Sequence, residues 1–195
     1  MTLQQEKDWR TCLMALEVDM TTTFYRKANL PIGLQYEPSF DLPDDVIRLR
    51  KSISEGTYRH SIIVFSGLKT GKTVSAAALL RSWISLKKNT VYDGVPGYFL
   101  PIHQLCYQNR TVDRFHKDTS LEEVIRIAAT TDFLIMDGMF SYITQNDDLL
   151  LQSLYDARQH SKKTTVVTTN IENPMDCAGS ILYRITRDAQ YKVVF

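Results

Sequence analysis

A short loop of small residues between an apolar run and an alanine-rich segment constrains this chain more than any other feature. The apolar run is Ile62-Ile-Val-Phe65, the loop covers residues 66–73, and Ala76-Ala-Ala78 follows. The loop ends in Gly71-Lys72-Thr73, the last three positions of the phosphate-binding pattern G-x-x-x-x-G-K-[ST]. Ser66 stands where that pattern has its first glycine. A buried strand, a turn and a helix in this order are the context in which the pattern binds phosphates.

The chemistry of such a loop predicts binding of ATP and Mg²⁺. Backbone N–H groups and the N-terminus of the helix would face the phosphates. Lys72 would reach the β- and γ-phosphates, and the Thr73 hydroxyl would ligate Mg²⁺. The alternative is a strand, turn and helix that contain Gly-Lys-Thr by chance. The residues expected to bind the nucleotide are Ser66, Gly67, Leu68, Lys69, Thr70, Gly71, Lys72 and Thr73.

A second apolar run, Phe133-Leu-Ile-Met-Asp137, ends in a carboxylate. Asp137 is expected to hold Mg²⁺ through water, as in a Walker B element, and the alternative is an Asp that caps the next turn. The next residue is Gly138, whereas many ATPases of this layout have a Glu there to orient the attacking water. We therefore expect ATP binding with weak or absent hydrolysis, unless Asp147 or Asp148 supplies the missing carboxylate.

Three polar residues further along complete the predicted catalytic set. Asn170 follows the run Thr164-Thr-Val-Val-Thr-Thr, and it could contact the γ-phosphate or its water; alternatively it begins the turn before Asn173-Pro174. Arg184 and Arg187 lie about one turn apart on a predicted helix, and either could act in trans as an arginine finger on a neighbouring subunit. The alternative is a solvated helix face whose cations suit the helix dipole.

Composition limits the class of protein. The chain has 195 residues and a net charge of +1, so only a local patch could attract nucleic acid. The apolar runs are far shorter than the roughly 20 residues needed to span a bilayer, and residues 1–9 lack the apolar region that a signal peptide is expected to have. The three cysteines and four histidines are scattered, which argues against a metal site built from them. We expect a cytoplasmic protein with reduced thiols.

The pattern of elements predicts an α/β domain at residues 57–195, preceded by a helical extension and linker at residues 1–56. In the extension, residues 3–26 have helical periodicity, residues 29–43 form an extended, proline-containing connector, and Asp44 to about Ser54 form a helix. In the domain, strands alternate with helices, which predicts a parallel sheet covered on both faces. The apolar stripe of the first helix consists of Trp9, Leu13, Leu16, Met20 and Phe24.

Beyond the loop helix, which runs from Lys72 to about Leu86, the predicted elements follow the same alternation. The strands are Gly97–Leu100, Phe133–Met136, Thr165–Thr169 and Tyr191–Phe195, and the helices are Ser120 to about Ala129, Asp147–His160 and Ala178–Asp188.

These motifs, in this order, resemble the AAA+ helicase loaders of the DnaC/IstB type over about residues 25–195. The matching points are residues 65–73, Leu134-Ile-Met-Asp137, Val167-Thr-Thr-Asn170 and the segment from Gly179 to Ile185. The stretches Arg26-Lys-Ala-Asn-Leu-Pro31 and Tyr36 to Phe40 are also similar to the residues that lead into the ATPase core of those loaders.

The resemblance implies a three-layer P-loop NTPase of the AAA+/RecA-like kind, with a short N-terminal helical extension and no C-terminal lid domain. It also implies an ATP-binding loader whose segment 3–26 grips a replicative helicase and whose core binds single-stranded DNA. A compact loader would suit a phage or mobile element, and the trans arginines would require a homo-oligomer. The departures from the family are Ser66, Gly138 and the chain end at Phe195.

A basic stretch from Gln108 to Lys117, expected to be irregular, is the candidate DNA contact. Its cations would contact the phosphates and its rings the bases, and the alternative is an ordinary charged loop. Two other functions remain open: a non-hydrolysing adaptor or inhibitor of a helicase or transposition complex, and a small P-loop kinase. This basic strip comprises Arg110, Arg114, His116 and Lys117, and its rings are Tyr107, just before it, and Phe115.

Overall fold

The computed structural model describes residues 22–59, 61–87, 95–111, 119–140, 144–177 and 180–195. Residues 22–27 are helical, and 3₁₀ turns lie at Ile32–Leu34 and Pro174–Asp176. The remaining elements alternate between helix and strand from residue 62 onward, except that two helices follow the second strand. They are α1 (Asp44–Ser54), β1 (Ile62–Ser66), α2 (Lys72–Lys87), β2 (Gly97–Pro101), α3 (Ile102–Thr111), α4 (Thr119–Thr130), β3 (Phe133–Met139), α5 (Gln145–His160), β4 (Thr164–Thr169), α6 (Ile181–Asp188) and β5 (Tyr191–Val194).

The five strands form one parallel sheet in the order β2-β3-β4-β1-β5. β1 and β4 are buried along their whole length, as expected for strands covered by helices on both faces. The predicted three-layer α/β core is thereby confirmed. Because β4 lies between β1 and β3, the ends of these three strands meet at one edge of the sheet. Within the described residues, β5 is the last element and no helical lid accompanies the sheet.

Alternate residues of β1 serve two separate hydrophobic clusters. Ile63 and Phe65 pack with α1 and α2 on one face, whereas Ile62 and Val64 pack with α3, α4, α5 and α6 on the other. The period-two alternation of strand side chains produces this division. α2 is buried on most sides because the sheet lies on one side of it and α1 on the other.

A buried arginine fixes β4 against its covering helices. The Arg158 guanidinium, 0% exposed, donates to Thr165 Oγ1 at 2.9 Å and to the carbonyls of Ala128 and Thr131 at 2.6 and 2.8 Å. It also donates to the carbonyl of Thr164. Burial lowers the pKa of Arg158 to about 9. These bonds offset the cost of burying the charge and hold the strand that precedes Asn170.

Two stretches differ from the sequence-based expectation. Residues 108–111, predicted to be irregular, form the last turn of α3, a helix that the sequence did not indicate. The connector at 29–43, predicted to be extended, contains the 3₁₀ turn Ile32–Leu34 and packs on the core: Leu30 is 3% exposed, and Arg81 donates to the Leu34 carbonyl at 2.5 Å. The reason is that α2 has apolar residues on its face away from the sheet, and residues 28–54 cover that face.

The apolar stripe of the N-terminal helix lies almost wholly outside the described residues. Of its members, only Phe24 is described, and it packs partly buried against the α2 side of the core. Arg114, Phe115, His116 and Lys117 of the basic strip also lie outside the described residues. None of the described helices combines the length and the apolar character that crossing a membrane requires.

Candidate nucleotide-binding site

The loop between β1 and α2 bends through two glycines in left-handed conformations. Gly67 and Gly71 both have φ of +105°, which favours glycine at each position. At Gly67 a Cβ atom would also lie 2.3 Å from the carbonyl oxygen of Phe195. Gly67, one place after Ser66, therefore supplies the turn that the first glycine of the pattern normally makes. Leu68, at the outer bend of the loop, is 74% exposed.

Lys72 opens α2 and folds its side chain back into the loop. Its Nζ donates to the carbonyls of Gly67 and Lys69, at 2.8 and 2.5 Å. Burial lowers the pKa of Lys72, and the nearby Asp137 carboxylate offsets part of that shift. The ammonium is thus held inside the concave side of the loop, paired with carbonyl dipoles and with no carboxylate in direct contact among the described residues.

Thr73 and Asp137 meet across the sheet edge. The Thr73 hydroxyl donates to Asp137 Oδ1 at 2.8 Å, and the Thr168 hydroxyl donates to the same oxygen at 2.7 Å. Thr73 is the second residue of α2, Asp137 is near the end of β3, and Thr168 is near the end of β4. A hydroxyl and a carboxylate at this distance are the oxygen ligands that Mg²⁺ prefers, so the residues present fit the metal.

The tip of β4 contacts the loop through its backbone. The Gly67 N–H donates to the Ile171 carbonyl at 3.2 Å, which brings the residue after Asn170 against the first bend of the loop. Asn170 itself is exposed. Its side chain forms no hydrogen bond with any described residue, so its contact with a phosphate stays a prediction.

The two predicted finger arginines are paired within their own chain. Arg184 donates to Asp156 at 2.5 Å, and its Cζ lies 5.4 Å from the centre of the Tyr155 ring. Arg187 donates to the adjacent Asp188 at 3.0 Å. Neither arginine contacts the loop among the described residues, and the action of either on another subunit stays a prediction.

Arg110, whose contact with DNA stays a prediction, is bound to a buried carboxylate of its own chain. Its Nε and Nη2 donate to Asp147 Oδ2 at 2.8 and 2.6 Å. Asp147 is 0% exposed and also accepts from Asn109 and Thr144. Burial alone would raise the pKa of Asp147, but these hydrogen bonds outweigh it and hold the pKa below its usual value.

The same contacts bear on the carboxylates proposed to replace the glutamate missing at Gly138. Asp147 joins α3 to α5, as described above. Asp148 accepts from the Ile181 N–H at 3.1 Å and from Gln152 at 2.6 Å, so it caps α6. Both side chains are engaged in holding helices together, and their geometry gives no support to a role in orienting water.

Three residues at the site were not indicated by the sequence. Thr168 lies in the matching segment Val167-Thr-Thr-Asn170 but was not singled out, because a threonine in a buried strand is ordinary. The rings of Phe40 and Phe195 each approach within 3.6 Å of the Cβ position at Gly71, and Phe195 also packs on Phe65 with ring centres 5.5 Å apart. Phe40 belongs to the stretch that resembles the loaders, which was the only available hint.

Comparison with known proteins identifies the fold in which this site lies. No protein-family model and no curated protein matches the sequence. Among solved structures, DnaI is similar with a TM-score of 0.62 and 17% identity, over 85% of this chain and 94% of that chain. The DnaC helicase loader has a TM-score of 0.58 and 14% identity, over 80% and 94%.

AMPPCP-bound DnaA from Aquifex aeolicus has a TM-score of 0.57 and 13% identity, over 79% of this chain and 48% of that chain. The present chain thus spans about half of the DnaA chain. At identities of 13–17%, these similarities establish the fold alone. The chain has the AAA+ P-loop NTPase fold, as the motifs predicted.

Proposed function

We propose that this chain is an ATP-binding loader of a replicative helicase that also binds single-stranded DNA and hydrolyses ATP weakly or not at all. One observation carries the proposal. The Thr73 hydroxyl and the Asp137 carboxylate meet at 2.8 Å beside the loop, in a fold shared with DnaI and the DnaC helicase loader. The loader role, the helicase and the DNA come from that likeness and from the motifs.

Different residues of the chain would bind different parts of Mg²⁺-ATP. The backbone N–H groups of residues 66–73 and the N-terminus of α2 would face the phosphates. Lys72 would exchange its bonds to the Gly67 and Lys69 carbonyls for bonds to phosphate oxygens. Thr73 and Asp137 would hold Mg²⁺, which when bound neutralises phosphate charge. Asn170 would contact the γ-phosphate from the tip of β4.

The second candidate function is a non-hydrolysing adaptor or inhibitor that uses the nucleotide as a structural element. The arrangement around Gly138 favours it. The residue directly after Asp137 is a glycine and supplies no carboxylate. Asp147 and Asp148 are engaged in joining helices. Both candidates bind Mg²⁺-ATP, but only the loader should leave a helicase assembled around single-stranded DNA. Reconstitution with the captured helicase therefore separates them.

The proposed partner-binding element is segment 3–26, and its removal is the main test. Because Phe24 packs against the core, deletion of residues 1–21 is cleaner than a longer deletion. The shortened chain should melt at nearly the same temperature and bind Mg²⁺-ATP as before, yet capture no helicase from an extract of its own cells. The control is full-length Lys72→Ala, which retains the segment. Native mass spectrometry identifies the captured protein and its stoichiometry, and capture of the same helicase by the shortened chain would contradict the proposal.

The DNA part of the proposal depends on Arg114 and Lys117, because Arg110 is bound to Asp147. Replacing both by alanine should weaken binding of a fluorescent oligothymidylate and reduce the salt dependence of its affinity. Arg126→Ala is the matched control, since Arg126 pairs with Glu123 on α4. Equal affinities for the double variant and the control would remove the strip from the proposal.

A further inference from the structure

Asp137 lies in a β-bulge. Met136 pairs with Val167, but Met139 pairs with Thr169, so β3 has one more residue than β4 between these two pairs. Gly138, next to Asp137, has φ of +77°, a left-handed conformation that allows the extra residue to be accommodated. A bulge bends the strand and redirects a side chain, and bulges of this kind occur often beside functional sites.

Thr168 is bonded to both residues of the bulge. Its hydroxyl accepts a hydrogen bond from the Gly138 N–H at 2.9 Å and donates one to Asp137 Oδ1 at 2.7 Å. The side chain is only 2% exposed. A carboxylate can only accept and an N–H can only donate, so the direction of both bonds is fixed. One buried hydroxyl therefore holds the bulged backbone and the acidic side chain in a single arrangement.

We propose that Thr168 is a positioning residue for the divalent cation: it fixes the Asp137 carboxylate so that the acid and Thr73 can share one Mg²⁺. This inference rests on the proposed binding of Mg²⁺-ATP. The two threonine hydroxyls approach the same carboxylate oxygen from two different elements, which restrains the position of Asp137 Oδ1. Thr168 acts through Asp137 and is not itself a ligand.

The segment after β4 connects the hydrogen bonds of Thr168 to the phosphate loop. Three residues after Thr168, the Ile171 carbonyl accepts from the Gly67 N–H. β4 thus contacts the metal side of the site through the Thr168 side chain, and the segment directly after β4 contacts the phosphate side through the Ile171 carbonyl. Loss of the Thr168 hydroxyl should loosen the metal side while leaving the phosphate side in place.

The experiment compares Thr168→Val, which keeps the side-chain volume, with Thr168→Ser, which keeps the hydroxyl. Thr164→Val is the control for a buried threonine at the other end of β4. Binding of a fluorescent ATP analogue is titrated in EDTA and at a series of Mg²⁺ concentrations. Thr168→Val should raise the half-saturating Mg²⁺ concentration by about 10-fold, with its affinity in EDTA unchanged. Thr168→Ser and Thr164→Val should resemble the wild type.

The possible outcomes separate this inference from the proposed function. A wild type with no Mg²⁺-dependent binding would overturn both. A wild type that responds to Mg²⁺, with an identical response from Thr168→Val, would overturn the positioning role alone. Equal losses with and without Mg²⁺ would also overturn it, because they indicate a purely structural defect. If Thr168→Val does not fold, Thr168→Ala takes its place, and failure of Thr168→Ser to bind Mg²⁺ better than Thr168→Ala contradicts the proposal.

Discussion

The nucleotide end of the sheet and the arginine-bearing surfaces differ in what their charged groups contact. At the loop, Lys72 is bound to backbone carbonyls, which can release it to a phosphate without leaving a buried carboxylate unpaired. On the surfaces, the three described arginines that were expected to act on DNA or on another subunit are bound to carboxylates of their own chain. The pairs are Arg110 with Asp147, Arg184 with Asp156 and Arg187 with Asp188.

The burial of each carboxylate determines which arginine could leave its partner and contact DNA or another subunit. Asp156 is 42% and Asp188 31% exposed at the side chain, and pairs this accessible typically contribute about 0–1 kcal/mol. Asp147 is 0% exposed, and removing the partner of a buried charge is far more costly. Arg184 and Arg187 therefore remain candidates for action in trans, whereas Arg110 has a structural role that competes with DNA binding.

The largest expected effect concerns the loop. Lys72→Ala should abolish Mg²⁺-ATP binding, because each lost charge-assisted contact to phosphate contributes about 1.5–3 kcal/mol. Two such contacts correspond to a loss of affinity of more than about 100-fold, measured by calorimetry. Lys51→Ala, which removes an exposed lysine of α1, is the control. Unchanged affinity of the Lys72→Ala protein would end the phosphate-loop interpretation.

The next effect is on stability. Arg110→Ala should lower the free energy of unfolding by about 1–3 kcal/mol, because it leaves Asp147 buried with only Asn109 and Thr144 as partners. Arg126→Ala, in an exposed pair, should change it by less than about 1 kcal/mol. Urea denaturation measures both. A stable Arg110→Ala protein with weakened DNA binding would restore Arg110 to the DNA contact.

The loss of unfolding free energy caused by Arg110→Ala should depend on pH. The pKa of Asp147 is lowered in the folded protein, so its contribution to stability is present above the unfolded pKa of about 4 and is lost as the pH falls through the folded value. The difference in unfolding free energy between wild type and Arg110→Ala should therefore persist at pH 7 and shrink below about pH 4. A difference that stays constant down to pH 3 would mean that the ionised carboxylate is not its source.

The difference between the phosphate loop and the arginine-bearing surfaces also explains which features could be predicted from the sequence. The strands β1 and β3 were found because a fully buried parallel strand is a continuous apolar run, and the loop was found because its glycines, Lys72 and Thr73 lie close together in sequence. These are local signals. The bulge at Gly138 is not local, since it depends on the pairing of β3 with β4.

Two features that the sequence did not indicate, α3 and the ion pair of Arg110, were missed for the same reason. The helix α3 follows Pro101 and has a weak apolar pattern, and Leu105 and Cys106 pack in the core on one side of it. The partner of Arg110 is 37 residues away in sequence, so the ion pair with Asp147 gave no signal beside the cations and rings that suggest a DNA contact. A residue's role in contacts of this kind becomes visible only in the folded chain.

A smaller effect is expected at Gly138. Gly138→Glu should raise the slow ATP hydrolysis, because a water-orienting carboxylate typically contributes up to about 10²–10⁴-fold. A Cβ there would meet nothing within 4 Å, but the φ of +77° costs an L-residue about 1–2 kcal/mol, so much of the gain will be lost to altered geometry. Gly138→Gln is the control, with the same strain and no carboxylate. Brisk turnover by the wild type, abolished by Lys72→Ala, would contradict the premise that no general base is present.

The smallest effect in the isolated chain should come from Arg184→Ala. Its pair with Asp156 is about 40% exposed on each side, so its removal should change the free energy of unfolding by less than about 1 kcal/mol. If Arg184 acts on a neighbouring subunit, the variant should instead lose the rise in ATP hydrolysis that accompanies assembly, since an arginine finger can contribute about 10³–10⁵-fold. Asp156→Asn sharpens the test, because it weakens the competing pair and should increase that rise. A large loss of stability in Arg184→Ala, with assembly-dependent hydrolysis intact, would place Arg184 with Arg110 among the structural arginines and leave Arg187 as the candidate finger.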